Sequence, residues 1–250
     1  AMRSWIATLG IALVLGGCVT GSSQQHWGPE KAPRKPVAKA STSADVEPDE
    51  PPLAGGEDAR VRRAERLAAR LLDGRAAWLS EKRTFLVITA FSEEGAGTGT
   101  TGEVLAERPD SNASNESDET PLCEPGAACD GDPDDLLRAA TDWVLEIGAD
   151  EAIVLEPLPF ASDKGAPSTE VGAIGGRVVW TRDHLDIVRP KKAAASLPKI
   201  VVDKEWTLKP LAAVPSPDGK LLLVLFEMDP GAKYNQGFNA FVETRVYKVP

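Results

Sequence analysis

The chain has 250 residues, 26% of them charged, and a formal net charge of −10. That balance repels phosphate backbones and anionic headgroups alike, which argues against nucleic acid as a partner and against membrane contact through a basic face. Beyond an N-terminal leader and linker, enough chain remains for one domain with a sizeable core.

The first eighteen residues carry most of the information. Met2 and Arg3 make a short basic start, and Ala1 ahead of them is left out of the reading. Trp5, Ile6, Ala7, Leu9 and then Ile11 to Leu15 form an apolar run, well short of the ~20 residues that cross a bilayer. Leu15-Gly16-Gly17-Cys18 closes it. Basic, apolar and small residues in that order are the pattern of a secretory signal peptide. The ending resembles the lipobox of bacterial lipoproteins. The resemblance implies that residues 1–17 are removed, that the Cys18 thiolate carries a diacylglyceryl group, and that its freed amine is acylated, as by palmitate. Leu15 then takes the apolar position ahead of the cleavage site, and Gly16 and Gly17 are small enough for the peptidase. Two or more chains anchor stably, at ~0.8 kcal/mol per buried methylene, where one does not. Val19 stands where an Asp would imply retention in the inner membrane, so the resemblance leans to an outer-membrane protein facing the periplasm or the cell surface.

Residues 18–56 read as a tether. Pro29, Pro33, Pro36, Pro48, Pro51 and Pro52 are spread among Gly, Ser, Gln and mixed charge with no apolar period, a composition that stays disordered. From Glu57 to about Lys82 the spacing predicts a helix, with Val61, Ala64, Leu67, Ala68, Leu71 and Leu72 on one side and Trp78 and Leu79 continuing past Gly74. Arg60, Arg62, Arg63, Arg66 and Arg70 cover the other side as a solvated face. Thr84 to Phe91 predicts a buried central strand. Residues 92–135 read as a long polar, acidic loop. Asp134 to Ile147 predicts a second amphipathic helix, started by Asp134 and Asp135 and stopped by Gly148. Glu151 to Leu158 returns as a strand, and strand, helix, strand suggests one β-α-β crossover. Then follow a hairpin of Arg177–Thr181 and Leu185–Arg189, and strands at Lys199–Trp206, Lys220–Met228 and Ala240–Val249. Ser216-Pro217-Asp218-Gly219 has the residues of a tight turn. The expected fold is a single α+β domain over residues 57–250, its two helices packed on one face of a mainly antiparallel sheet.

Four stretches carry residue types that chemistry uses. Gly95-Ala96-Gly97-Thr98-Gly99-Thr100-Thr101-Gly102 follows a strand and contains the glycine spacing of a dinucleotide loop. With Ile88-Thr89-Ala90 it also resembles the nucleotide loop of tubulin-like GTPases. However, Ser92, Glu93 and Glu94 interrupt that match, no Lys or Arg stands near, and a flexible loop accounts for the glycines. Asp130-Gly131-Asp132-Pro133-Asp134 spaces carboxylates as calcium loops do, but Asp135 and Thr141 stand where such a loop needs Gly and a bidentate Glu. Cys123 and Cys129, the pair left after Cys18, suit a disulfide better than a zinc site, which wants four N/S ligands. His184 lies between Asp183 and Asp186 and reads as a turn residue rather than a general base.

No nucleophile elbow and no paired-histidine metal motif is present, so no catalytic residue, cofactor or metal is assigned. The expectation is a lipid-anchored bacterial cell-envelope protein, held to the membrane through Cys18 and acting as a non-enzymatic accessory module on an envelope protein partner. A solute- or cation-binding lipoprotein and an envelope hydrolase using a carboxylate pair are the alternatives.

Overall fold

In the computed structural model the described residues are 56–93, 97–107, 118–127, 129, 132–162, 165–200, 202, 206–229 and 241–250. The leader, Cys18, the tether, the tract 110–117 and the Asp130-Gly131 pair lie outside them.

The first helix, α1 (Glu57–Leu72), buries Ala59, Ala64, Leu67, Ala68 and Leu71 along one stripe. It stops sooner than its apolar spacing suggested. Gly74 takes a left-handed φ of 82°, and the amides of Asp73, Gly74 and Arg75 close back on the carbonyls of Ala69, Leu71 and Arg70, the usual way a glycine ends a helix. Trp78 and Leu79 therefore do not extend the helix. They belong to β1 (Ala76–Leu79), which turns back into β2 (Thr84–Glu93).

The next difference is larger. From Gly97 onward the glycine run is not a loop but most of β3 (Gly97–Leu105), paired in register with β2 from Phe85↔Leu105 to Glu93↔Gly97, while Gly95 and Ala96 lie outside the described residues. β4 (Asp118–Cys123) adds to β3 as the sheet edge, with Pro121 placed where an edge strand tolerates a missing donor. β5 (Ile153–Leu155) closes the other edge beside β1, giving the order β4-β3-β2-β1-β5. Every ladder in this sheet is antiparallel. β2 and β5 run the same way, but β1 lies between them, so the expected strand–helix–strand crossover makes no hydrogen-bonded parallel pair here.

The second helix, α2 (Pro133–Glu146), starts at Asp132, whose carboxylate accepts from the amides of Asp134 and Asp135 at 3.0 and 3.4 Å. Together α1 and α2 cover one face of the sheet, where Leu67, Leu71, Trp143 and Val144 meet Ala77, Leu79, Leu86 and Ile88. Arg60 and Arg63 are not simply solvated. Both reach Asp150, at 3.4 and 2.9 Å, and tie α1 to the chain leaving α2.

Two more sheets lie beyond. One has the order β13-β12-β11-β6, from β6 (Leu158–Pro159), β11 (Thr207–Pro215), β12 (Leu221–Asp229) and β13 (Phe241–Lys248). The other has the order β10-β9-β8-β7, from β7 (Ser168–Val171), β8 (Gly176–Thr181), β9 (His184–Val188) and β10 (Ala195–Ser196). Both are antiparallel throughout. The Ser216–Gly219 turn forms as expected, closed by the Gly219 amide on the Ser216 carbonyl at 2.9 Å. No strand forms among the described residues of 199–206.

β12 explains the stacking. Leu221, Leu223 and Leu225 pack with Trp78, Phe85, Val87 and Leu105 of the first sheet. Leu222, Val224 and Phe226 pack with Val178, Trp180, Leu185 and Ile187 of the third. Successive side chains of a strand point to opposite faces, so an unbroken apolar run requires a layer on each side. The α+β class stands, with three sheets in place of one.

Candidate functional site

The best-defined polar chemistry clusters at the β8–β9 hairpin. Thr181 and His184 pair across the strands, with Arg182 and Asp183 as the two-residue turn and Arg182 at a φ of 57°. His184 is thus the first residue of β9. Its Nδ1 lies 2.7 Å from Asp183 Oδ1, and its Nε2 lies 3.1 Å from Thr181 Oγ1 and 3.5 Å from Asp186 Oδ1. Asp186 Oδ1 also accepts from the Ser196 hydroxyl at 2.5 Å. Asp183 Oδ2 accepts from Lys199 Nζ at 2.9 Å. The His184 hydrogen bond, followed by the Lys199 ammonium, holds the Asp183 carboxyl down to about 2, so it is ionised at any physiological pH.

Carboxylate, imidazole and hydroxyl in that order resemble an activated nucleophile, but the geometry is not poised for one. The Thr181 hydroxyl has one proton, and besides His184 Nε2, whose role depends on the ring's tautomer, two acceptors surround it: the His184 carbonyl at 3.2 Å and Asp186 Oδ2 at 3.3 Å. Thr181, His184 and Asp186 also alternate with inward Trp180, Leu185 and Ile187, which puts them on the outer face of the third sheet. The network pins the hairpin.

Asp183 has a second side. With Trp180, Arg182, Ile200, Val202, Trp206, Thr207 and Leu208 it lines a cleft of about 240 Å³. Trp180 is buried and packs against Phe226 at 5.4 Å between ring centres, while partly buried Trp206 meets Phe241 edge-on at 5.6 Å. Ile200 reaches the cleft because its amide donates to the Asp183 carbonyl at 2.9 Å, folding the chain after β10 over the hairpin.

A different carboxyl group is buried between sheets. Glu103 of β3 accepts from the Thr89 hydroxyl at 2.6 Å and from the Thr244 hydroxyl of β13 at 2.8 Å. Burial first, then the nearby Glu119 and Glu243 carboxylates, push its pKa up against the two hydroxyl hydrogen bonds. Glu243 is likewise raised by burial, opposed by Arg245, whose Nη2 lies 3.2 Å away.

Of the residues singled out in the sequence, Cys18 lies outside the described residues. Cys123 and Cys129 stand at disulfide distance, 2.12 Å between sulfurs and 5.9 Å between Cα atoms. The glycines are not a phosphate cradle: a Cβ on Gly102 would come within 2.7 Å of the Trp143 indole, and one on Gly99 would run into the Phe91 ring. They let aromatic rings lie on the strand. Asp132, read as part of a calcium-like tract, caps α2, and among the described residues no group of three or more His, Cys, Asp or Glu is arranged to hold a metal. Sequence reasoning passed over Trp180, Arg182 and Trp206, which lie in or beside strands. It also missed Glu103, a lone carboxylate in a stretch whose glycines spell a loop.

Compared with protein families, curated proteins and solved structures, the chain matches none.

Proposed function

We propose that this chain is a lipid-anchored bacterial cell-envelope protein that works as a non-enzymatic accessory module, its folded domain standing off the membrane on the tether. The observation that carries this reading is the Met2-Arg3 start, the apolar run and the Leu15-Gly16-Gly17-Cys18 ending, followed at once by a proline-rich stretch. The Cys123–Cys129 pair at disulfide distance fits an oxidising compartment. The edge strand β5 supports the interaction role, since it exposes Ile153 and Val154 at 48% and 38%, and an exposed apolar edge is a surface that a partner strand can extend.

The test is in-cell cross-linking with mass spectrometry and membrane fractionation, on the wild type beside Cys18→Ala. The expected result is a membrane-associated wild type that captures a defined envelope protein, and a Cys18→Ala variant that leaves the membrane and loses that capture. A variant that fractionates and cross-links like the wild type overturns the anchor.

The solute-binding alternative is favoured by one observation, the cleft beside Asp183. The hydrolase alternative needs two carboxylates facing one cleft, and Asp183 is the one carboxylate among the described residues lining it.

A further inference from the structure

We infer that the cleft lined by Trp180, Trp206, Arg182, Asp183 and Thr207 is a binding site for a neutral sugar ring. This inference deepens the solute-binding reading and does not depend on the lipid anchor. Three properties of the cleft select that ligand class.

The first is size. A volume of about 240 Å³ falls below the roughly 300–1,000 Å³ of pockets that enclose drug-sized ligands, which suits a single ring seated in the cleft.

The second is the division of its lining. Trp180, Ile200, Val202, Trp206 and Leu208 supply an apolar wall, and Arg182, Asp183 and Thr207 supply the polar groups. A pyranose has the same division, with C–H groups on its faces and hydroxyls around its edge. An apolar wall that includes indoles suits the first, since indole is large, rigid and apolar. Hydroxyls both donate and accept, so they can satisfy a guanidinium that only donates, a carboxylate that only accepts, and the Thr207 hydroxyl, which donates to the Asp229 carbonyl at 3.3 Å and keeps lone pairs to accept.

The third is charge. Arg182 and Asp183 sit side by side in the turn, and among the described residues lining the cleft they are the charged pair, whose formal charges cancel. A cationic ligand drawn to the indoles would meet Arg182 as well, with Lys199 behind Asp183. An anionic ligand would meet Asp183. A neutral polyhydroxylated ring meets neither penalty. Asp183 is also held in place, since His184 and Lys199 each take one of its oxygens at 2.7 and 2.9 Å and leave a lone pair on each. Asp183 is therefore positioned before any ligand arrives.

The experiment is saturation-transfer NMR on the full-length protein in detergent, with D-glucose, N-acetyl-D-glucosamine and tetramethylammonium chloride as separate probes. The expected result is saturable transfer to the ring protons of at least one sugar and weaker transfer to tetramethylammonium. Trp206→Ala should reduce the sugar affinity by about tenfold or more. Asp183→Asn and Arg182→Ala, which leave the apolar wall in place, should each weaken it, and Lys192→Ala, outside the cleft, should leave it unchanged. Circular dichroism of each variant separates loss of binding from loss of fold, and if Trp206→Ala does not fold the two polar variants decide. Three outcomes overturn the inference: no saturable transfer to either sugar, sugar transfer that all three cleft variants leave intact, or tetramethylammonium binding in preference to both sugars. None of them alters the Cys18 fractionation result, so this inference and the anchor stand or fall separately.

Discussion

Glu103 shows how one side chain can set a pH dependence for the whole domain. Its carboxyl group lies between the first sheet and β13, with a threonine hydroxyl on each oxygen, and burial raises its pKa above the ordinary value. In the unfolded chain the same group ionises near ~4.3. The ionised form of this group is therefore less favourable in the folded state than in the unfolded chain. Between the raised folded value and the unfolded one, the folded state binds more protons, so stability rises as pH falls through that window. Glu243 is raised in the same direction. Asp183 is shifted the other way, to about 2, so its contribution is lost only at far lower pH. Urea unfolding of Glu103→Gln beside the wild type, from pH 8 to pH 5, should show a flatter profile for the variant, with Glu243 responsible for the remaining slope. The amide can still accept from one threonine and donate to the other. A variant whose profile parallels the wild type would place the proton elsewhere. Thr244→Val, which strips one hydrogen bond from the buried carboxyl, should cost ~1–3 kcal/mol at neutral pH.

At the scale of elements, β3 was the least legible part of the chain. Its Gly97, Gly99 and Gly102 have low strand propensity, and by local chemistry they spell a loop. They are strand residues because two aromatic rings need the space: Phe91 beside Gly99, and Trp143 of α2 beside Gly102. The first contact is visible only once β2 and β3 are paired, and the second only once α2 is laid on the sheet. Gly102→Ala should therefore destabilise the protein by ~1–3 kcal/mol, as overpacking does, although alanine is the better residue for an ordinary strand. Denaturant midpoints check it, and a neutral or stabilising result would mean that Trp143 does not rest on this backbone. α2 was far easier to read. Its apolar spacing, its acidic first turn and its glycine stop are local signals, and they placed it within a residue or two of Pro133–Glu146. α1 was right at its start and wrong at its end, because Trp78 and Leu79 keep helical spacing while serving β1. Their side chains face opposite sides of the first sheet, Leu79 toward the helices and Trp78 toward β12.

For the molecule as a whole, β12 is the strand on which the layers depend. Leu222 and Leu223 are adjacent in sequence and fully buried, yet they belong to different cores. Leu222→Ala and Leu223→Ala should each cost ~2–5 kcal/mol, the range for opening a cavity in a packed core, measured by chemical denaturation. A domain with one sheet and one buried face would tolerate one of the two. The same stacking accounts for the cleft, which lies where the hairpin end of the third sheet meets the start of β11. Arg182 and Asp183 come from one sheet, Thr207 and Leu208 from another, and Ile200, Val202 and Trp206 from the chain between them.

The sequence alone determined what local order can encode. This covers the two amphipathic helices, the buried strands at Thr84 and Lys220, the tight turn at Ser216, the hairpin around Asp183, and the pairing of Cys123 with Cys129. Each rests on residues within a few positions of one another, where period, propensity and turn chemistry act. Tertiary structure alone decided the rest: that the glycine run is a strand, that three sheets stack under one pair of helices, that Glu103 meets Thr244, and that Trp180 and Trp206 share a cleft with Asp183. Those outcomes depend on which surface each element is pressed against, and a side chain's neighbours across a layer leave no trace in the residues beside it in the chain.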